Sequence, residues 1–192
     1  MKKQEVKGMN NSKKLMGMPV VSLADGQQLG QVKGLIIHPA KMSIVALLME
    51  RQGWFKEQPV IPYQHVKNVG QHVVTVDHPQ AMAKLSSFPE LEALAKNPLP
   101  LLKNRVITEE GALLGTVDDF YFDPQSGRLL SLEIRKGIFW GKTSLPTEKI
   151  LTWGKDALIV QAHAEIPPEE SPSLWVQFRS YWPFGKKAKE KG

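Results

Sequence analysis

Leu114-Gly115-Thr116-Val117, then Phe120-Tyr121-Phe122, then Asp123-Pro124-Gln125-Ser126-Gly127, then Leu130, Leu132 and Ile134 in alternation: residues 114 to 134 describe a strand, a tight turn and a returning strand. Aspartate before proline initiates a turn, glycine supplies positive φ, and period-two apolar residues are the mark of a half-buried strand. Eighty-five residues earlier the chain writes the same hairpin as Leu29-Gly30-Gln31-Val32, Leu35-Ile36-Ile37, the turn His38-Pro39-Ala40-Lys41, then Val45, Leu47 and Met49. Two copies of one hairpin predict two domains of one kind.

The repeat extends well beyond the hairpin. Val21 matches Val106, Gly26 matches Gly111 and Pro39 matches Pro124; after a one-residue slip, Ile61-Pro62 matches Leu145-Pro146 and Gly70 matches Gly154. Val74 and Val76 match Leu158 and Val160 in the closing strand. Glycine, proline and alternation preserved together over some sixty residues identify an internal duplication. Short strands separated by turn signals suit small closed or partly open barrels. The predicted organisation is a flexible basic arm (1–14), a barrel (15–80), a partly helical linker (81–100), a second barrel (101–165) and an aromatic and basic tail (166–192). In the linker, Ser87-Phe88-Pro89-Glu90 fits a capping box with Ser87 as N-cap, and Asn97-Pro98 ends the helix.

Each barrel of roughly 65 residues is near the size at which a hydrophobic core alone sustains a fold, so mutual packing is expected to help. The chain has no cysteine, which removes disulfides, thiol catalysis and thiolate metal sites. Its net charge of +6 is concentrated in the ends. Residues 1–14 hold five lysines against Glu5, and residues 166–192 hold five basic residues against three glutamates. The stretch 15–165 has fifteen charges of each sign. A nucleic-acid interface needs a basic patch; no run within the repeats supplies one, although folding can still bring like charges together. There is no apolar run of the roughly twenty residues that span a bilayer, and the lysines at the start are not followed by the apolar core of a signal peptide. The expectation is a cytoplasmic protein, soluble or peripheral on the inner face of the membrane.

These features resemble the PRC-barrel family, which includes the cytoplasmic domain of the photosynthetic reaction-centre H subunit and is similar to the C-terminal domain of the ribosome-maturation factor RimM. The shared pattern is an early glycine turn, Leu-Gly-x-Val, an Asp-Pro-x-x-Gly turn, an alternating strand, a glycine-aromatic loop and an Ile-Pro or Leu-Pro step. It is closest in the second copy, through Asp123, Gly127, Pro146, Gly154 and Asp156; the first copy departs at His38, Met42 and His72. The resemblance implies an all-β fold of two tandem small barrels and a non-enzymatic adaptor that binds other macromolecules, without catalytic residues or a cofactor. The alternative it leaves open is an RNA-processing or ribosome-associated factor.

Reactive constellations are sparse. Asp118, Asp119 and Asp123 form an acidic cluster, but aspartate before proline is explained by its turn, and a hard cation wants six or more oxygens. The five histidines, His38, His65, His72, His78 and His163, show no helical i, i+4 pair, so no metal site is expected. Partner-binding candidates are the loop aromatics Trp54, Phe55, Phe139 and Trp140, which offer anchoring area at low entropic cost and equally suit a plug at the barrel end. The tail supplies the second set. Trp175, Phe178, Tyr181 and Trp182 fall at helical spacing, with Lys186 and Lys187 beyond Pro183. Such an amphipathic C-terminal helix suits docking on a barrel, an anionic membrane surface or a groove in a protein partner; a homodimer is a further option.

Overall fold

A computed structural model of the chain describes residues 10–51, 57–136 and 141–162. Strand β1 (Asn10–Asn11) and the single-turn helix α1 (Ser12–Leu15) precede the first barrel, built from β2 (Pro19–Ser22), β3 (Gln28–His38), β4 (Ser43–Met49), β5 (Pro59–Pro62), β6 (Val66–Val69) and β7 (Val74–Val76). The linker holds β8 (Ala83–Lys84) and α2 (Pro89–Lys96). The second barrel is β9 (Arg105–Thr108), β10 (Leu113–Phe122), β11 (Leu129–Arg135), β12 (Lys142–Pro146), β13 (Ile150–Trp153) and β14 (Ala157–Val160). The strand orders are β6-β7-β2-β3-β4-β5-β8 and β12-β11-β10-β9-β14-β13, with β1 added to β10. The expected all-β tandem is therefore the observed fold.

Each sheet curls because one long strand serves two partners. Strand β3 pairs with β2 through Gln28–Gln31 and with β4 from Val32 to His38; β10 pairs with β9 through Leu113–Thr116 and with β11 from Thr116 to Phe122. The register shifts between Val32 and Gly34, and again between Val117 and Asp119. A bulge of this kind bends the strand and increases its twist, which turns a flat ladder into a corner. Gly30 and Gly115 belong to these long strands, not to turns: Gly115 has φ of 144°, and a Cβ there would lie 2.3 Å from the Arg135 carbonyl oxygen on β11.

Three details of the sequence reading change. Val20, not Val21, is the counterpart of Val106: each pairs with the glycine of the long strand, as Val20 with Gly30 and Val106 with Gly115. The following turn is one residue shorter in the second copy. Along β4 and β11 the inward residues nearest the turn are Ile44 and Leu129, not Val45 and Leu130; the second bulge of each hairpin, at Ile36/Ile37 and Tyr121/Phe122, shifts the phase by one residue. Helix α2 begins at Pro89, with Phe88 in the N-cap position and no side-chain cap. Pro89 occupies the first turn, where its missing N–H costs nothing, and Ser87 instead closes a short 3-10 turn.

The reading of residues 1–14 as a flexible arm is overturned for residues 10–14. Asn10 and Asn11 pair with Phe122 and Tyr121 of the second barrel, and Asn11 caps α1 by accepting from the Lys14 amide at 3.1 Å. Ser12 and Leu15 are buried. The segment thus straps the second barrel before the chain enters the first, because it brings partners to carboxylates that burial would otherwise leave unsatisfied.

The two barrels meet through a local pseudo-twofold. The Ile44 amide donates to the Gly127 carbonyl at 2.9 Å, and the Leu129 amide donates to the Met42 carbonyl at 2.8 Å. These two bonds exchange under the 85-residue offset, and they flank a bridge between the equivalent residues Ser43 and Arg128. The equivalent residues Met42 and Gly127 both take positive φ, 46° and 72°. Tyr63 breaks the symmetry: its buried ring lies over Gly127 and its hydroxyl donates to the Pro124 carbonyl at 3.0 Å. Buried side chains of both barrels form one connected core, from Leu15 to Val160. A Cβ at Gly127 would lie 2.7 Å from the Ile44 carbonyl oxygen and 2.8 Å from the Tyr63 ring, whereas one at Gly111, also at positive φ, meets nothing within 4 Å. Gly127→Ala is expected to lose about 3 kcal/mol in urea titration and Gly111→Ala about 1 kcal/mol; equal losses would show that the seam is not tightly packed.

Candidate functional site

At the corner bulge of β10 the chain places two consecutive carboxylates indoors. Asp118 and Asp119 are both buried, an arrangement that must be compensated by partners. Asp119 accepts from the Ser12 hydroxyl at 2.5 Å and from the Phe120 amide at 2.8 Å. Around Asp118 four cations converge: Lys13 at 2.9 Å and Lys142 at 3.0 Å on one oxygen, Arg135 at 2.8 Å and Lys103 at 3.5 Å on the other. Burial alone would raise the Asp118 pKa, but hydrogen bonds from Lys13, Lys142 and Arg135 outweigh it and hold the carboxyl well below the usual carboxylate range. Lys142 also donates to the buried Glu133 at 2.6 Å. That bond is the main reason its ammonium is held above the ordinary lysine value.

The carboxylates are hidden while the cations are not. The side chain of Asp118 is 2% exposed, those of Lys103, Lys13, Arg135 and Lys142 are 77%, 54%, 46% and 41% exposed. The surface therefore presents more positive charge than the residue count suggests. Lys103 also lines a groove of about 360 Å³ with Leu102, Arg105, Lys155 and Asp156. Arg105 and Lys155 are exposed and have no ion pair among the described residues.

Among the described residues the first barrel has no such face. Lys103 stands where the first copy has Gly17: each donates its amide 2.8 Å to the long strand, to Val117 and Val32 respectively, and each has positive φ, 67° for Lys103 and 75° for Gly17. Arg105, Lys142 and Lys155 correspond to Pro19, Gln58 and Gln71. Asp118 and Arg135 correspond to Lys33 and Glu50, a pair of reversed sign. Among the described residues the basic face belongs to the second barrel.

A second concavity, of about 620 Å³, lies across the seam. Tyr63, Gln64 and Lys41 line it from the first barrel, Gln125 and Ser126 from the second, and Phe88 and Leu91 from the linker. Asp123, beside it, is committed to its own turn: its carboxylate accepts from the amides of Gln125 and Ser126 and from the Ser126 hydroxyl at 2.5 Å. No group of three or more metal-binding side chains occurs among the described residues.

The model of the PRC-barrel domain matches residues 7–82 and 101–166. The chain belongs to the PRC-barrel family. Both PRC barrels are covered, and the second match begins at the buried Leu101 that leads into Lys103. No curated protein matches the chain. Among the described residues no helix is long and apolar enough to cross a membrane.

The partner-binding residues picked from sequence, Trp54, Phe55, Phe139 and Trp140 in the loops and Trp175, Phe178, Tyr181, Trp182, Lys186 and Lys187 in the tail, lie outside the described residues, as does the amphipathic helix expected there. The cation cluster around Asp118 escaped the sequence reading. Its members are separated by up to 129 positions, from Lys13 to Lys142, and the only local signal was the Asp118-Asp119 pair. Because the folded pKa of Asp118 is depressed, its contribution to stability is present above the ordinary carboxylate range and is lost as pH falls below about 4. Asp118→Asn should cost about 2 kcal/mol at pH 7, the low end for charge-assisted bonds to half-exposed cations. In denaturant titrations the difference from wild type should be constant above about pH 4 and shrink progressively as pH falls below it; a gap that keeps its neutral-pH size down to about pH 2 would assign the loss to packing.

Proposed function

We propose that this PRC-barrel protein is a non-enzymatic adaptor that holds a protein partner against its paired barrels. The observation that supports this most is the seam groove of about 620 Å³, whose walls come from both barrels and from the linker. Reciprocal backbone hydrogen bonds hold those walls in one arrangement, and a preorganised concave surface spends less of its interaction energy on ordering. Phe88, Leu91 and Tyr63 supply apolar area, and Gln64, Gln125 and Ser126 supply hydrogen-bonding groups around it, the usual composition of an interface. Chemistry by the buried carboxylates is disfavoured, since Asp118 is held ionised under four cations and is a poor proton acceptor.

The loop aromatics Trp54, Phe55, Phe139 and Trp140 and the aromatic tail are further candidates for contact with such a partner, and the setting we infer is cytoplasmic. Affinity capture with the full chain should retain a partner that is lost with Gln64→Arg/Gln125→Arg, substitutions that fill the groove with charge while leaving the core untouched. The expected loss is at least tenfold, as for a hot spot of about 1.4 kcal/mol or more. Retention by the groove variant would place the partner elsewhere, and turnover of a substrate by the purified chain would contradict the non-enzymatic reading.

A further inference from the structure

We propose that the basic face of the second barrel, centred on Lys103, docks the protein onto an anionic lipid surface. Six cations lie together there: Lys13, Lys103, Arg135 and Lys142 around Asp118, and Arg105 and Lys155 along the adjoining groove. Of the four carboxylates among them, Asp118, Asp119 and Glu133 are buried and only Asp156 is exposed. Six cations against four carboxylates leave the face net positive, with the cations outermost, where they attract phosphate-bearing headgroups.

Two further observations support the proposal, and the first of them selects lipid as the occupant. Leu102 lines the groove between the cations and is 43% exposed, with Leu99 close by in sequence at 36%. Exposed leucines ringed by lysine and arginine match the apolar-below, cationic-above order of a membrane interface. A single-stranded nucleic acid would instead call for stacking rings, and the nearby Trp153 ring is packed against the core, with its indole N–H donating to the Pro100 carbonyl at 3.1 Å. The second observation is the backbone at Lys103. A non-glycine residue in the left-handed region is disfavoured, and the sister barrel uses Gly17 at that place. Strain retained at an exposed lysine marks a position held for its side chain.

The surface lies apart from the seam groove, so lipid docking and partner capture are separable. In sedimentation with the full chain, vesicles of phosphatidylcholine with 30 mol% phosphatidylserine, about the anionic content of an acidic leaflet, should bind the protein, and phosphatidylcholine alone should not. Lys103→Gly/Arg105→Gln/Lys155→Gln should weaken binding roughly 100-fold, at about fivefold per charge. Lys103→Gly alone should weaken it about fivefold while leaving the thermal midpoint unchanged or higher, since relief of the left-handed strain offsets the loss of the longest and most exposed of the four ion pairs to Asp118; this separates a docking role from a folding defect. Three results would each overturn the proposal: wild-type affinity in the triple variant, equal binding to both vesicles, or anisotropy showing tighter binding to a single-stranded RNA than to the anionic vesicles at the same salt.

Discussion

Two backbone hydrogen bonds, from Ile44 to Gly127 and from Leu129 to Met42, tie the barrels together through chemically equivalent positions. Main-chain pairing across a dyad requires that both hairpin turns present the same left-handed residue at the same place, and both do, at Met42 and Gly127. The rest follows from this contact. It joins the two cores into one cluster, places the Tyr63 ring over Gly127, and opens the seam groove beside the linker helix. A barrel of this size has a marginal core of its own, so burial shared across the seam offsets part of the entropy of ordering each half.

Within that nearly symmetric frame the copies have diverged at their corners. In both, a bulge bends the long strand; in the first it holds Lys33, and in the second Asp118. Lys33 is exposed whereas Asp118 is buried; a buried carboxylate demands cations, and the chain supplies them from β11, β12, the turn before β9 and the segment ahead of the first barrel. One structural requirement thus gathers positive charge on one face of one barrel. The same ion pairs that anchor the N-terminal strap leave the outer halves of those cations in water.

The duplication, the all-β class and the turns were legible because they are local: Asp123-Pro124 and Gly127 announce a turn wherever they stand, and alternation within β11 needs no knowledge of its neighbours. The bulges were not legible. Nothing in Ile36-Ile37 or Tyr121-Phe122 tells that the pairing slips there, and so Ile44 and Leu129 face inward where Val45 and Leu130 were expected. The basic face was hidden for a different reason. Fifteen positive and fifteen negative charges sum to zero along residues 15–165, but folding buries Asp118, Asp119 and Glu133 and exposes their partners. Net charge is a property of the chain; surface charge is a property of the fold. Likewise Ser12 and Lys13 carry no sign that their partners lie more than a hundred residues away.

The central claim is that the reciprocal seam makes the two PRC barrels one cooperative unit. Native-state hydrogen exchange of the Ile44 and Leu129 amides tests it most directly, because these two groups donate the seam bonds and opening free energies report the unit to which an amide belongs. Protection of both amides equal to that of the central strand amides of Val74 and Leu158 is the result predicted. Exchange of Ile44 and Leu129 at much lower opening free energy, with the strand amides still protected, would show that the barrels separate without unfolding and would contradict the account.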